Sequence, residues 1–210
     1  METKKDIRKK IRAARAALLE DRRSKYSECI QRRLLEHPLY QQAEEIYCYV
    51  SFGDEVCTDL ILQTSWELGK RVAVPKILTE IPRTLTDAQE MQRSMDDTLT
   101  MGAPCRRYME FFYLHSREEL EEGYYGILEP VTRKKADGKD ALVVMPGVAF
   151  DSSCHRIGYG GGFYDSYLSL HPGLRTIALA YSIQCMEQIP FKEHDIRPEM
   201  IITEKEIYTC

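Results

Sequence analysis

A chain of 210 residues, 43% hydrophobic and 30% charged, has the make-up of one soluble domain with a full core, and excludes disordered and fibrous classes. A formal net charge of −4 gives no case for a general nucleic-acid or lipid surface, and no apolar run reaches membrane length. The seven cysteines, at 29, 48, 57, 105, 154, 185 and 210, form neither C-x-x-C nor a zinc spacing, so reduced, mostly structural thiols in a cytosolic protein are expected.

The first predicted element is a helix over Lys4 to Arg23. Ile7, Ile11, Ala14 and Leu18 recur at helical spacing, and Lys4, Arg8, Arg12 and Arg15 follow the same rhythm as a basic stripe beside them. Charge alone reads that stripe as a solvated cationic face. Glu2, Asp6 and the scarcity of Ser argue against a mitochondrial presequence. A second helix is predicted over Ser24 to Glu36, ended by His37-Pro38. Glu45 to Phe52 reads as a buried strand. A turn at Gly53-Asp54-Glu55 leads to a helix over Thr58 to Leu68, with Thr58 as N-cap and Gly69 as stop. Val72 to Val74 is a second short strand, closed by Pro75 and parallel to the first.

Lys76 to Arg107 lacks clear periodicity and reads as a surface insertion, with a short helix at Asp87 to Asp97 and a lid over a substrate as the alternative role. Tyr108 to Leu114 is a strand, Ser116 caps a short helical turn, and Glu118, Glu119, Glu121 and Glu122 form a solvated face. Leu142 to Met145 is the central strand. Pro146-Gly147 breaks it and starts a loop with Asp151, Cys154, His155 and Arg156, where neither Cys154 nor His155 has an obvious partner for catalysis. Strands over Leu174 to Tyr181 and Met200 to Thr203 flank an irregular piece at Cys185 to Ile189.

The densest signal is Arg156 to Asp165, R-I-G-Y-G-G-G-F-Y-D. Glycines turn successive N–H groups inward to make an anion nest, and the helix predicted from Phe163 adds the partial positive charge of its N-terminus. Gly-rich turns before helices also occur without a ligand. Two nucleotide signatures fail here. The P-loop needs Gly-Lys-Ser/Thr, but Phe163 follows Gly162; the dinucleotide fingerprint needs Gly where Phe163 stands, and an acid about 20 residues on.

Joined to A-L-V-V-M-P-G-V-A-F-D (Ala141 to Asp151), the run resembles the signature of the 5-formyltetrahydrofolate cyclo-ligase family, with Phe163 where that family usually carries Tyr. A G-I-x-E-P-like segment at Gly126 to Pro130 extends the likeness, which covers nearly the whole chain. It implies a three-layer α/β/α domain with a mainly parallel sheet, of the fold group of sugar-phosphate isomerases and CoA transferases. It implies ATP-dependent conversion of 5-formyltetrahydrofolate to 5,10-methenyltetrahydrofolate by a cytoplasmic monomer, without nucleic-acid or membrane partners. Carried over by motif, the ATP contacts are Lys4, Arg8, Arg156, Gly158, Gly160, Gly161, Gly162 and Tyr164, with Lys4, Arg8 and Arg156 acting in catalysis. The folate contacts are Glu55, Tyr159, Gly160, Gly161, Gly162 and Phe163, and the Mg²⁺ ligands are Asp165 and Asp195. Glu129 receives only a turn role. A sugar-phosphate isomerase-like enzyme, a non-catalytic folate or nucleotide binder, and an RNA-binding relative using the basic helix remain alternatives.

Overall fold

The computed structural model describes residues 2–80, 106–123, 126–193 and 195–210. The expected helix at Asp87 to Asp97 lies outside these residues.

The basic N-terminal stretch forms α1 (Lys4–Ala16), started by a capping box in which Thr3 and Asp6 satisfy each other's backbone. The expected single helix to Arg23 breaks at 17–19, and a separate α2 (Glu20–Glu36) follows, a break the apolar stripe did not reveal. His37 caps α3 (Pro38–Gln42), its ring accepting from the Leu39 amide. Next come β1 (Glu45–Cys48), α4 (Asp59–Glu67) and β2 (Arg71–Glu80). Thr58 occupies the N-cap position of α4, but its hydroxyl bonds the Tyr49 carbonyl instead of the helix.

Pro75 does not close β2, as its chemistry led us to expect. Strand β1 pairs only with Arg71 to Ala73, so at Pro75 one side of β2 carries no ladder and the missing N–H costs nothing there. The strand runs on through Glu80, paired antiparallel with β3 (Arg106–Leu114). A small ribbon of β4 (Leu120–Glu122) and β5 (Leu128–Pro130) follows. Then come β6 (Leu142–Met145), β7 (Ala149–Asp151), β8 (Arg156–Ile157), α5 (Phe163–Leu170), β9 (Arg175–Leu179), β10 (Cys185–Met186), β11 (Met200–Ile202) and β12 (Ile207–Thr209).

Seven strands form the central sheet, in the order β12-β11-β9-β6-β1-β2-β3. The five inner strands are parallel, and antiparallel strands flank them on both sides. Alternation along each strand sends side chains to opposite faces. Ile46, Val144, Ile177 and Ile202 pack with Ile30 and Leu34 of α2, Tyr40 of α3 and Ile61 of α4. On the other face Tyr47, Val143, Ala178 and Ile201 pack with Tyr167 and Leu168 of α5 and with Phe111 and Phe150. Helix α1 joins neither large cluster. Its Ile7 and Ile11 pack with Val148, Ala149, Ile157 and Ile189 in a small third one.

The chain passes from β1 outward to β2 and β3, then returns to the other side of β1 as β6 and continues outward through β9 and β11. The order therefore reverses between β1 and β6, and the crevice beyond their C-terminal ends is where open sheets of this class bind ligands. No helix among the described residues is long and apolar enough to cross a membrane.

Candidate active site

Two loops leave the sheet at that crevice: the turn after β1 with Glu55, and the segment after β6 with Arg156 and the Gly run. The β1 turn is held by tyrosine hydroxyls. Tyr49 donates to the Val56 carbonyl at 2.8 Å and Tyr181 to the Glu55 carbonyl at 3.1 Å. The Phe52 amide donates to Glu55 Oε2 at 2.9 Å. Burial raises the Glu55 carboxyl above its usual range, while hydrogen bonds from Tyr159 and Phe52 and the nearby Arg15 charge oppose the rise.

Arg156 is 5% exposed. Its Nη2 donates to Asp165 Oδ1 at 2.9 Å, its Nη1 to the Pro146 carbonyl at 3.3 Å, and its Nε is buried without a partner. The glycine run bends sharply beside it. Gly160 lies at φ 110° and Gly162, the N-cap of α5, at φ 67°, both in the region where a side chain is strained. The Phe163 ring folds back so closely that a Cβ on Gly161 would stand 2.7 Å from it. Tyr164 is packed between the two large clusters, with its hydroxyl buried and unpartnered.

Helix α1 reaches this loop from the far end of the sequence. Arg8 Nε donates to the Gly158 carbonyl at 2.8 Å. Lys4 forms an ion pair with Asp195, whose Oδ2 also accepts from the Lys192 amide. The Ile196 amide donates to Asp165 Oδ1 at 3.0 Å, which brings the Asp195 segment onto the start of α5. All the residues expected from sequence thus converge: Lys4, Arg8, Arg156, Gly158 to Gly162, Tyr159, Phe163, Tyr164, Asp165 and Asp195 around the loop, and Glu55 within electrostatic reach of Tyr159.

Among the described residues no group of three or more His, Cys, Asp or Glu side chains is placed to hold a metal. Asp165 and Asp195 still fit Mg²⁺, which takes one or two carboxylates and completes its shell with phosphate oxygens and water.

Three features escaped the sequence reading. Arg15, in phase with Lys4 and Arg8, is buried rather than solvated. His155 has a partner after all: its Nδ1 lies 3.0 and 3.1 Å from the two oxygens of buried Asp151, and its ring stacks on Phe191 with centroids 3.7 Å apart. Cys154 and Cys210 are joined as a disulfide with Cα atoms 6.0 Å apart, against the expectation of reduced thiols; a separation of 56 residues leaves no local motif by which to find it.

A family model described as the 5-formyltetrahydrofolate cyclo-ligase family matches residues 1–204. The 5-formyltetrahydrofolate cyclo-ligase of Mus musculus is 26% identical, over 96% of this chain and 93% of its own. The protein of the same name from Escherichia coli K12 is 26% identical, over 94% and 98%. Among solved structures, the 5,10-methenyltetrahydrofolate synthetase of Aquifex aeolicus superposes with a TM-score of 0.76 at 26% identity, covering 98% of this chain and 92% of its own. The match over nearly its whole length makes this chain a member of the 5-formyltetrahydrofolate cyclo-ligase family.

Proposed function

We propose that this protein uses ATP to convert 5-formyltetrahydrofolate into 5,10-methenyltetrahydrofolate, releasing ADP and phosphate. The observation that carries the reading is the bond from Arg8 to Gly158, which lays a basic helix across a glycine nest at the switch point of the sheet. A triphosphate needs both features: fixed N–H donors and guanidinium or ammonium charges.

The chemistry sets the demands. The oxygen of a formamide is a poor leaving group. Transfer of the γ-phosphoryl group to that oxygen, with cleavage of the bond to ADP, makes it a good one. The N10 lone pair then attacks the formyl carbon, the C–O bond breaks, phosphate leaves with the electron pair, and N10 loses its proton. The protein must align the γ-phosphate with the formyl oxygen and balance the charge that moves. Arg156, Lys4, Arg8 and the amides of Gly158 to Gly162 serve that end in this reading. Glu55, Tyr159 and Phe163 face the pterin. Mg²⁺, held by Asp165 and Asp195, supplies further charge neutralisation when bound with the triphosphate. Lys4 and Arg156, each paired with one of these carboxylates, keep their charges at the site without repelling one another. No covalent nucleophile is required. The reading places the activity in one cytoplasmic domain acting as a monomer.

The test is turnover of purified protein with 5-formyltetrahydrofolate, Mg²⁺ and ATP, followed by the near-ultraviolet absorbance of the methenyl product. Wild type should form product only with ATP. Asp165→Ala should lose at least about 100-fold in kcat/KM, because it removes a metal ligand and frees Arg156 from its partner. Binding of both substrates by the wild type without product would favour the non-catalytic binder.

A further inference from the structure

The buried cation of α1 has no task in that scheme. Arg15 is 3% exposed, and an arginine is rarely so deep unless paired. Its Nη2 donates to Asp54 Oδ1 at 2.6 Å and its Nη1 to the Tyr159 hydroxyl at 2.9 Å. Its guanidinium carbon lies 5.7 Å from the centre of the Tyr159 ring, and its Nε is buried without a partner. The Tyr159 phenol also lies within electrostatic reach of the Glu55 carboxyl. Asp54, Arg15 and Tyr159 therefore form one hydrogen-bonded chain between α1, the β1 turn and the glycine loop, beside Glu55.

The direction of that chain is fixed. Guanidinium can only donate, so the Tyr159 oxygen must accept from Arg15. Its single proton then points away from Arg15. We infer that Arg15 is a positioning residue for the folate end of the site: it ties Tyr159 of the glycine loop to Asp54 of the β1 turn and sets its charge beside Glu55, the carboxylate that meets the N–H donors of a pterin. The inference rests on Glu55 and Tyr159 being the folate contacts of the proposed function. It also gives α1 two ends with separate tasks. Lys4 and Arg15 are eleven residues apart, about 16 Å along a helix, enough for one element to serve phosphate and pterin together.

The electrostatics agree. Glu55 is faced by Arg15 from α1, by Asp54 and Tyr49 from the β1 segment, by Tyr159 and Tyr164 from the glycine loop and α5, and by Tyr181 beyond β9. Burial raises its carboxyl and Asp54 raises it further, whereas the Tyr159 and Phe52 bonds and the Arg15 charge lower it. Glu55 is ionised above its pKa, so folate affinity is lost as pH falls through that value. Removing Arg15 takes away a lowering influence and moves the loss to higher pH.

The test compares wild type, Arg15→Met, Arg15→Lys and Tyr159→Phe in the full chain, with steady-state kinetics from about pH 5.5 to 9 and thermal melts to check folding. Arg15→Met should raise the folate KM about 10- to 100-fold, leave the ATP KM within about twofold, and shift the acid limb of the folate profile upward. Arg15→Lys should return the limb towards wild type but recover only part of the KM, since it keeps the charge without the fork. A folded Arg15→Met with wild-type folate KM and wild-type profile overturns the inference, as does an equal rise in both KM values. Should Arg15→Met fail to fold, Tyr159→Phe decides: it cuts the same link at an exposed side chain, and an unchanged folate KM and profile overturns the role. Absence of wild-type turnover overturns the cyclo-ligase reading itself; turnover with unaffected variants overturns only the role of Arg15.

Discussion

Arg156→Ala is expected to lower kcat by about 10³-fold while the protein stays folded. The guanidinium is buried beneath the glycine loop with one arm on Asp165, a second on Pro146 and its Nε unpartnered, so its charge is aimed and dry. A preorganised donor in such surroundings acts mainly on charge that develops in the transition state, and removing one costs about 10²- to 10³-fold, more where phosphoryl groups transfer. Arg156→Lys keeps the charge but not the planar fork that meets Asp165, and should recover about tenfold. Single-turnover and steady-state kinetics, with a thermal melt as control, check both. A loss confined to the ATP KM would instead assign Arg156 to ground-state binding.

Asp151→Ala should destabilise the fold by about 3–5 kcal/mol, read from the urea midpoint at constant slope. The carboxylate is 2% exposed and accepts from the amides of Ser153 at 3.1 Å, His155 at 3.0 Å and Ile189 at 3.2 Å, besides the His155 ring. Alanine strips these donors of their acceptor in one step, and groups left dry and unpaired cost more than the bonds were worth. Asp151→Asn offers one acceptor oxygen and turns an amide against donors, so it should recover less than half of the loss. Turnover should fall as well, because Asp151 shapes the turn that delivers Arg156. Ser152→Ala, exposed beside it, serves as the unperturbed control.

The extent to which this was legible in the sequence varies by element. Strands β1, β6, β9 and β11 announced themselves as apolar runs because both faces of a parallel sheet are covered. The glycine loop was legible because its residues and spacing are restrictive. The course of β2 past Pro75 was not, since the absence of a second neighbour is a tertiary fact. Strands β7, β8, β10 and β12 have two or three residues each, too short for any period to show. For the site, motif likeness brought together residues from Lys4 to Asp195, and the structure joins them through Arg8–Gly158, Lys4–Asp195 and Asp165–Ile196. Arg15 was misjudged for a physical reason. Helical periodicity gives the direction of a side chain but not what lies opposite, and only the fold puts Asp54 and Tyr159 there.

The small third cluster has a kinetic meaning. Ile7 and Ile11 are the buried apolar side chains of α1, and burying two such groups stabilises by only about 3–6 kcal/mol. The global stability of a domain is commonly about 5–15 kcal/mol, so a partial opening that detaches α1 and leaves the sheet intact would have to break little beyond this cluster and the ties of Lys4, Arg8 and Arg15. Such an opening would carry Lys4, Arg8 and Arg15 away together and silence the site while most of the molecule stays native. In the proposed reading, a nucleotide held between α1 and the glycine loop would hold the opening shut in proportion to its occupancy. An opening of this kind exposes the first helix to proteolysis, and in the proposed reading bound substrate protects it.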